Sequence, residues 1–205
     1  MNIRILRNQM VSLAMTVGLM APVAAKEVQP MEVLREKVGQ GLVILNHHRN
    51  QGGENRALQE ARIRQLSLSI FDFAAMSRMV LAARWHDFTS EQQAAFVRAF
   101  THFLQGTYLP LLLDRYRGEQ IEYIRQVRVS PAKARVEVRV VRDGKAVPVT
   151  VKMIRRGGLW KVYDLDALGF SAVGNYRAQF QWLLERETPA QVIERLESMQ
   201  GPPAL

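Results

Sequence analysis

The stretch ARVEVRVVRDGKAVPVTVKM, residues 134–153, decides the fold. Val136, Val138 and Val140 stand between Arg135, Glu137 and Arg139, and beyond Asp143-Gly144 the alternation resumes with Val147, Val149, Val151 and Met153. A period of two sends successive side chains to opposite faces of a strand, and Asp-Gly between two such runs specifies a tight hairpin. Gly157-Gly158 turns the chain again, into Trp160, Val162 and Asp164. Together with the alternating residues that begin near Glu119, this is an antiparallel meander of about four strands, apolar on one face and charged on the other.

On both sides of the meander the period is helical. Leu34, Val38, Leu42 and Leu45 recur at helix spacing from Lys26 until Gly52-Gly53, and Leu58, Ile63 and Leu66 mark a second helix over 55–68. Phe71-Asp72-Phe73 leads into a third, with Met76, Met79, Val80 and Ala83. Thr89-Ser90-Glu91-Gln92 is a capping box, in which Thr89 accepts from the Gln92 backbone and the Gln92 side chain reaches back. It opens a helix with Phe96, Phe100, Phe103, Leu104, Tyr108 and Leu112 on one stripe, which Pro110 is expected to kink or break. After the strands, Val173, Tyr176, Phe180 and Leu183 form another stripe, and Thr188-Pro189 starts a last helix with Pro at its first position. Helices segregated to one side of an antiparallel sheet define the α+β class.

The N-terminus reads as an address. Arg4 and Arg7 precede an apolar run from Met10 to Met20, too short for the roughly 20 residues that span a bilayer. Pro22 and the small residues Val23-Ala24-Ala25 then predict cleavage before Lys26. The organisation expected is therefore a signal peptide (1–25), a single domain (26–200) and a flexible tail (201–205) in an exported, periplasmic protein. Cleavage removes two arginines and no acidic residue, taking the net charge from +9 to +7. Such an excess suits nucleic acid, anionic membranes or acidic partners, and export makes nucleic acid the wrong one. Zero cysteines exclude disulfides, thiolate metal sites and thiol nucleophiles.

Residues that could carry chemistry are sparse. His47-His48 are adjacent, about 100° apart on a helix, and cannot grip one metal as an i, i+4 pair does. His86 and His102 lie on other helices, and no Gly-rich phosphate loop or Gly-x-Ser-x-Gly elbow is present. Asp164 and Asp166, two apart at a strand end, are the one carboxylate pair placed for acid–base work. Arg135, Arg139 and Lys152 form a basic patch on the outer sheet face. The aromatic stripe of Phe96, Phe100, Phe103 and Tyr108 fits either a filled core or a lined cavity. An enzyme of cone-shaped α+β fold, with Asp164 or Asp166 as base, and a periplasmic chaperone both remain open on these residues.

Several ordered strings carry more. Phe71-Asp72-Phe73, Met76-Ser77-Arg78-Met79-Val80-Leu81 and Trp85 resemble the F-D-F…M-(A/S)-R-x-(V/A)-L-G-x-x-W segment of the MlaC family of periplasmic phospholipid carriers, also described as toluene-tolerance auxiliary proteins. The similarity continues through Thr89, Glu91-Gln92, Phe96, Phe100, Leu104 and Thr107-Tyr108. It resumes at Val147-Pro148-Val149 and Trp160-Lys161-Val162-Tyr163-Asp164, and ends with Ser171, Val173 and Asn175-Tyr176-Arg177-Ala178-Gln179-Phe180. The chain departs from the pattern at Ala82, where Gly is common, at Pro110, and at Leu168-Gly169-Phe170 in place of Glu-Gly-Val.

The resemblance implies a cystatin- or NTF2-like sheet wrapped by six or seven helices around an apolar pocket. It implies a non-enzymatic monomer without cofactor that carries phospholipid as cargo and maintains outer-membrane lipid asymmetry. The partners it implies are an outer-membrane lipoprotein–porin complex and the substrate-binding subunit of an inner-membrane ABC transporter. On that reading the acyl chains lie between sheet and helices, with headgroup phosphate near Arg and Lys at the mouth. The lining expected from the sheet is Val138, Val149, Val151, Trp160 and Val162. The helices are expected to add Phe73, Met76, Met79, Val80 and Trp85; Phe96, Phe100, Phe103, Leu104, Tyr108 and Leu112; and Val173, Tyr176 and Phe180.

Overall fold

Alternation and turn chemistry build the sheet. Strands β1 (Gln120–Ser130), β2 (Lys133–Arg142), β3 (Lys145–Arg156) and β4 (Leu159–Ala167) pair in chain order, all antiparallel, and a two-residue β5 (Phe170–Ser171) adds a short edge. The computed structural model describes residues 27–51 and 56–199. The segment read as a signal (1–25) with its cleavage point, Gly52-Gly53 and the 201–205 tail lie outside the described residues, as do the side chains of His47 and His48. Asp143 and Gly144 both take positive φ (49° and 73°), which matches the twist of the strands they join. Leu168-Gly169 repeats that conformation between β4 and β5, with Leu168 at φ 55°. A leucine there costs roughly 1–2 kcal/mol that glycine or asparagine avoids.

Among the described residues six α-helices accompany the sheet: α1 (Pro30–Gln51), α2 (Arg56–Ile70), α3 (Phe73–Leu81), α4 (Ser90–Arg115), α5 (Ala172–Leu184) and α6 (Pro189–Ser198). Each helix start that the sequence marked is capped. Asp72 Oδ1 accepts from the Ala75 N–H at 2.8 Å, and the Thr89–Gln92 and Thr188–Gln191 boxes are both closed. The expected break at Pro110 does not occur. Helix α4 runs through it to Arg115, leaving the Gly106 carbonyl without its i+4 donor.

The apolar interior divides into three clusters. The first is helical: Phe96 and Phe100 of α4, both fully buried, pack with Val80, Phe180, Val192 and Leu196 of α3, α5 and α6. Edge-to-face contacts tie it together, Phe96–Phe180 at 5.2 Å and Phe100–Tyr176 at 5.4 Å between centroids. The second covers the inner sheet face, where Val136, Val138, Val151, Met153, Trp160 and Val162 meet Leu34 of α1. The third is small and joins Leu45, Ile63 and Leu109 of α1, α2 and α4.

One irregularity redirects β4. Met153 faces Val162 but Lys152 faces Asp164, so Tyr163 is an extra residue. Such a bulge reverses the alternation beyond it. Trp160 and Val162 therefore point to the core, whereas Asp164 and Asp166 share the outer face with Lys152, and Leu165 turns inward opposite Val151.

Candidate functional site

The three apolar clusters do not fuse. Between them lies a cavity of about 570 Å³, walled by residues of each. Helix α1 contributes Val38, Gly41 and Leu45, and α2 contributes Ile63, Leu66 and Ile70. Phe71 comes from the link between α2 and α3, Phe73 and Met76 from α3, Leu165 from β4, and Ala172 and Tyr176 from α5. The C-terminal half of α4 supplies Leu104, Tyr108, Leu109, Leu111 and Leu112. Tyr108, Leu111, Leu112 and Leu165 are each 36–50% exposed, so they form a rim, while Leu45, Ile63, Met76 and Leu104 are buried at the back. Gly41 keeps α1 smooth here: a Cβ would sit 3.5 Å from Leu66 Cδ2 and project into the space.

The polar groups in the wall are already satisfied. Ser67 Oγ donates to the Arg64 carbonyl at 2.7 Å and accepts from Gln105 Nε2 at 2.8 Å, while Gln105 Oε1 accepts from Arg64 at 3.2 Å. The Tyr108 and Tyr176 hydroxyls share a hydrogen bond of 2.9 Å from α4 to α5. Burial, aided by that bond, holds the Tyr176 hydroxyl far above its ordinary range and neutral. Lys37 is the single charged residue of the lining, and its nearest carboxylate, Glu36, stands 3.7 Å away. A cavity so built can hold an elongated apolar guest with an anionic end. It brings together no nucleophile, base and oxyanion donors.

The nineteen residues expected to line a pocket fall into three places. Phe73, Met76, Leu104, Tyr108, Leu112 and Tyr176 line the cavity. Val80, Phe96, Phe100, Phe103, Val173 and Phe180 sit within the helical cluster, with Met79 and Trp85 packed against it. Val138, Val151, Trp160 and Val162 are in the sheet cluster, and Val149 packs on its margin. Val38, Gly41, Ile63, Leu66 and Leu165 also line the cavity and were not among the expected residues. The stripes of α1 and α2 contained three of them, Val38, Ile63 and Leu66, as inward apolar positions.

Of the carboxylate pair, Asp164 is tied into the fold by three donors. Asp164 is 3% exposed and accepts from Lys152 Nζ at 2.8 Å, Ser171 Oγ at 2.7 Å and the Val173 N–H at 3.0 Å. It fastens the N-terminus of α5 to β3 through Lys152. Asp166 stands 3.9 Å from the same lysine. The outer face is also less basic than read: Arg139 pairs with Glu122 at 3.4 Å, and Arg125 with Glu137 at 2.7 Å. His102 borders an open groove of about 670 Å³ between α2 and α4, together with Glu60, Arg64 and Arg98. Among the described residues, no group of three or more His, Cys, Asp or Glu could hold a metal.

Helices and an antiparallel sheet closed around an apolar chamber define a class of α+β domains built as containers. The sequence model described as MlaC protein matches residues 35–198, and the chain belongs to that family, as its motifs indicated. No curated protein matches the sequence. Among solved structures, the fold is similar to that of the phospholipid-binding protein from Ralstonia solanacearum in complex with a phospholipid. That likeness has a TM-score of 0.72 at 19% identity and covers 83% of this chain and 96% of the other.

Proposed function

We propose that this chain is a periplasmic carrier that holds one diacyl phospholipid with its acyl chains in the cavity and its headgroup at the rim. The observation that carries the reading is the cavity, lined mostly by apolar side chains and with Lys37 as its one charged residue. Membership of the MlaC family and the phospholipid held by the Ralstonia solanacearum protein support it. Lys37 would lie near the phosphate, as the one charged residue of the lining.

The energetics explain why a carrier is needed. Burial is worth about 0.8 kcal/mol per CH₂, so two chains of about 15 methylenes amount to roughly 25 kcal/mol, and a phospholipid leaves a bilayer unaided very slowly. A protein that accepts it must offer comparable apolar surface yet release it again. The exposed rim of Tyr108, Leu111, Leu112 and Leu165 supplies a graded path between the two. Nothing in the site spends chemical energy. Direction would therefore come from the partners, an outer-membrane lipoprotein–porin complex and an inner-membrane ABC transporter, and the net effect would be to maintain outer-membrane lipid asymmetry.

Native mass spectrometry of protein purified without detergent from a phospholipid-replete bacterium tests the reading. Near one diacyl phospholipid per chain is expected. Empty protein, or protein with monoacyl species alone, would overturn it.

A further inference from the structure

Two costs fall on one turn. Between β4 and β5, Ala167, Leu168, Gly169 and Phe170 are all exposed. Phe170 is 80% exposed, more than any other large apolar side chain among the described residues, and Leu168 is 67% exposed. Leu168 also holds a left-handed backbone, φ 55°, which asparagine or glycine would adopt with less strain. A lone exposed leucine is ordinary. A strained one beside an exposed phenylalanine is a feature that the fold itself does not require, and strain of this kind gathers where a protein meets something else.

The turn lies next to the mouth of the cavity in the chain. Leu165, three residues before Leu168, and Ala172, two after Phe170, both belong to the cavity lining. On the neighbouring strand Val149 pairs with Ala167, and Val147, two residues away along β3, is 40% exposed. The carboxylates nearest in the chain are engaged: Asp164 is buried against Lys152, and Asp166 stands 3.9 Å from the same lysine. The cations beyond the turn are not. Arg177, about one and a half turns into α5, donates to the Met79 carbonyl at 2.8 Å and has no ion pair among the described residues. Arg78, which precedes Met79 in α3, is exposed and has none either.

We propose that this turn is a membrane-contact finger: Leu168 and Phe170 enter the interfacial layer of an anionic bilayer, and Arg78 and Arg177 supply the attraction to its headgroups. A hairpin tip is convex, so it suits a partner that yields to it, and the interfacial layer of a bilayer yields. The unpaired cations complement negatively charged lipid. A carrier docked in this way brings the cavity rim at Leu165 to the surface from which lipid is taken or to which it is returned. The finger itself stands on the turn, whatever fills the cavity.

Flotation with vesicles of equal parts phosphatidylethanolamine and phosphatidylglycerol tests this on wild type, on the double variant Leu168→Asn with Phe170→Ser, and on Arg78→Gln. Asparagine accepts the left-handed backbone, so the double variant should unfold no earlier than wild type, and lost binding would not reflect misfolding. Wild type is expected to float with the vesicles, and the double variant to bind at least about tenfold more weakly. Arg78→Gln is expected to weaken binding about fivefold on these vesicles and not on phosphatidylcholine alone. Equal binding of wild type to both kinds of vesicle would overturn the part given to the cations. Wild-type binding by the double variant would overturn the finger, as would a wild type that does not bind vesicles, which would assign the turn to a protein partner instead. Phospholipid retained by the purified protein is a separate measurement: its absence would remove the carrier reading and leave the finger standing.

Discussion

The two halves of α4 carry the same kind of residue and do opposite things. In the N-terminal half, Phe96 and Phe100 have no exposed surface and pack ring against ring with Phe180 and Tyr176. In the C-terminal half, Tyr108, Leu111 and Leu112 are 50%, 36% and 40% exposed and face an open chamber. The difference lies in what stands opposite. The first half meets α3, α5 and α6, which close on it; the second meets α1 and α2, which stand off. One amphipathic stripe is thus half structural spine and half container wall.

The sharpest way to break the comparison is Phe100→Ala. A large cavity in the closed half should cost about 3–5 kcal/mol in denaturant unfolding, with lipid bound per folded chain unchanged. A loss below about 1 kcal/mol would mean the two halves are not distinct. Asp164→Ala comes next, at about 3 kcal/mol, because it removes the close partner of Lys152 and the acceptor at the α5 N-terminus. Lipid occupancy should stay at the wild-type level in the folded fraction. If occupancy disappeared there while the fold held, Asp164 would belong to the site after all.

Gly41 offers an effect of the opposite sign. Gly41→Ala should raise stability by about 1 kcal/mol, since glycine is a poor residue inside a helix and the added Cβ meets Leu66 at an ordinary contact distance. Gly41→Leu should keep much of that gain and lower lipid occupancy by filling the chamber. Stabilisation with full occupancy would place the guest elsewhere. The smallest stability change belongs to Leu112→Glu. Its midpoint should move by no more than about 0.5 kcal/mol, as for other exposed positions, yet its bound phospholipid should fall at least about tenfold.

What the sequence disclosed follows from how local each feature is. The hairpins at Asp143-Gly144 and Gly157-Gly158, the caps at Thr89 and Thr188 and the inward set Val136, Val138 and Val151 depend on neighbours a few residues away. The bulge at Tyr163 does not announce itself, and a one-residue slip sent Asp164 to the outer face and Leu165 to the chamber. The chamber was harder still. Periodicity records which side of a helix is apolar, not whether anything solid faces it, so Phe96 and Leu112 read alike. Val38, Ile63 and Leu66 were visible as apolar faces, but that α1 and α2 stand away from α4 is a property of three elements together.

Acyl chains are expected to occupy the space between the clusters and not the clusters themselves. Intermolecular nuclear Overhauser effects between acyl protons and methyl-labelled protein measure this directly. Contacts are expected to Ile63, Leu66 and Ile70, and none to Val136, Leu81 or Val192, which are closed off in the sheet and helical clusters. Contacts to Val136 or Val192, with silence from Ile63 and Ile70, would contradict it.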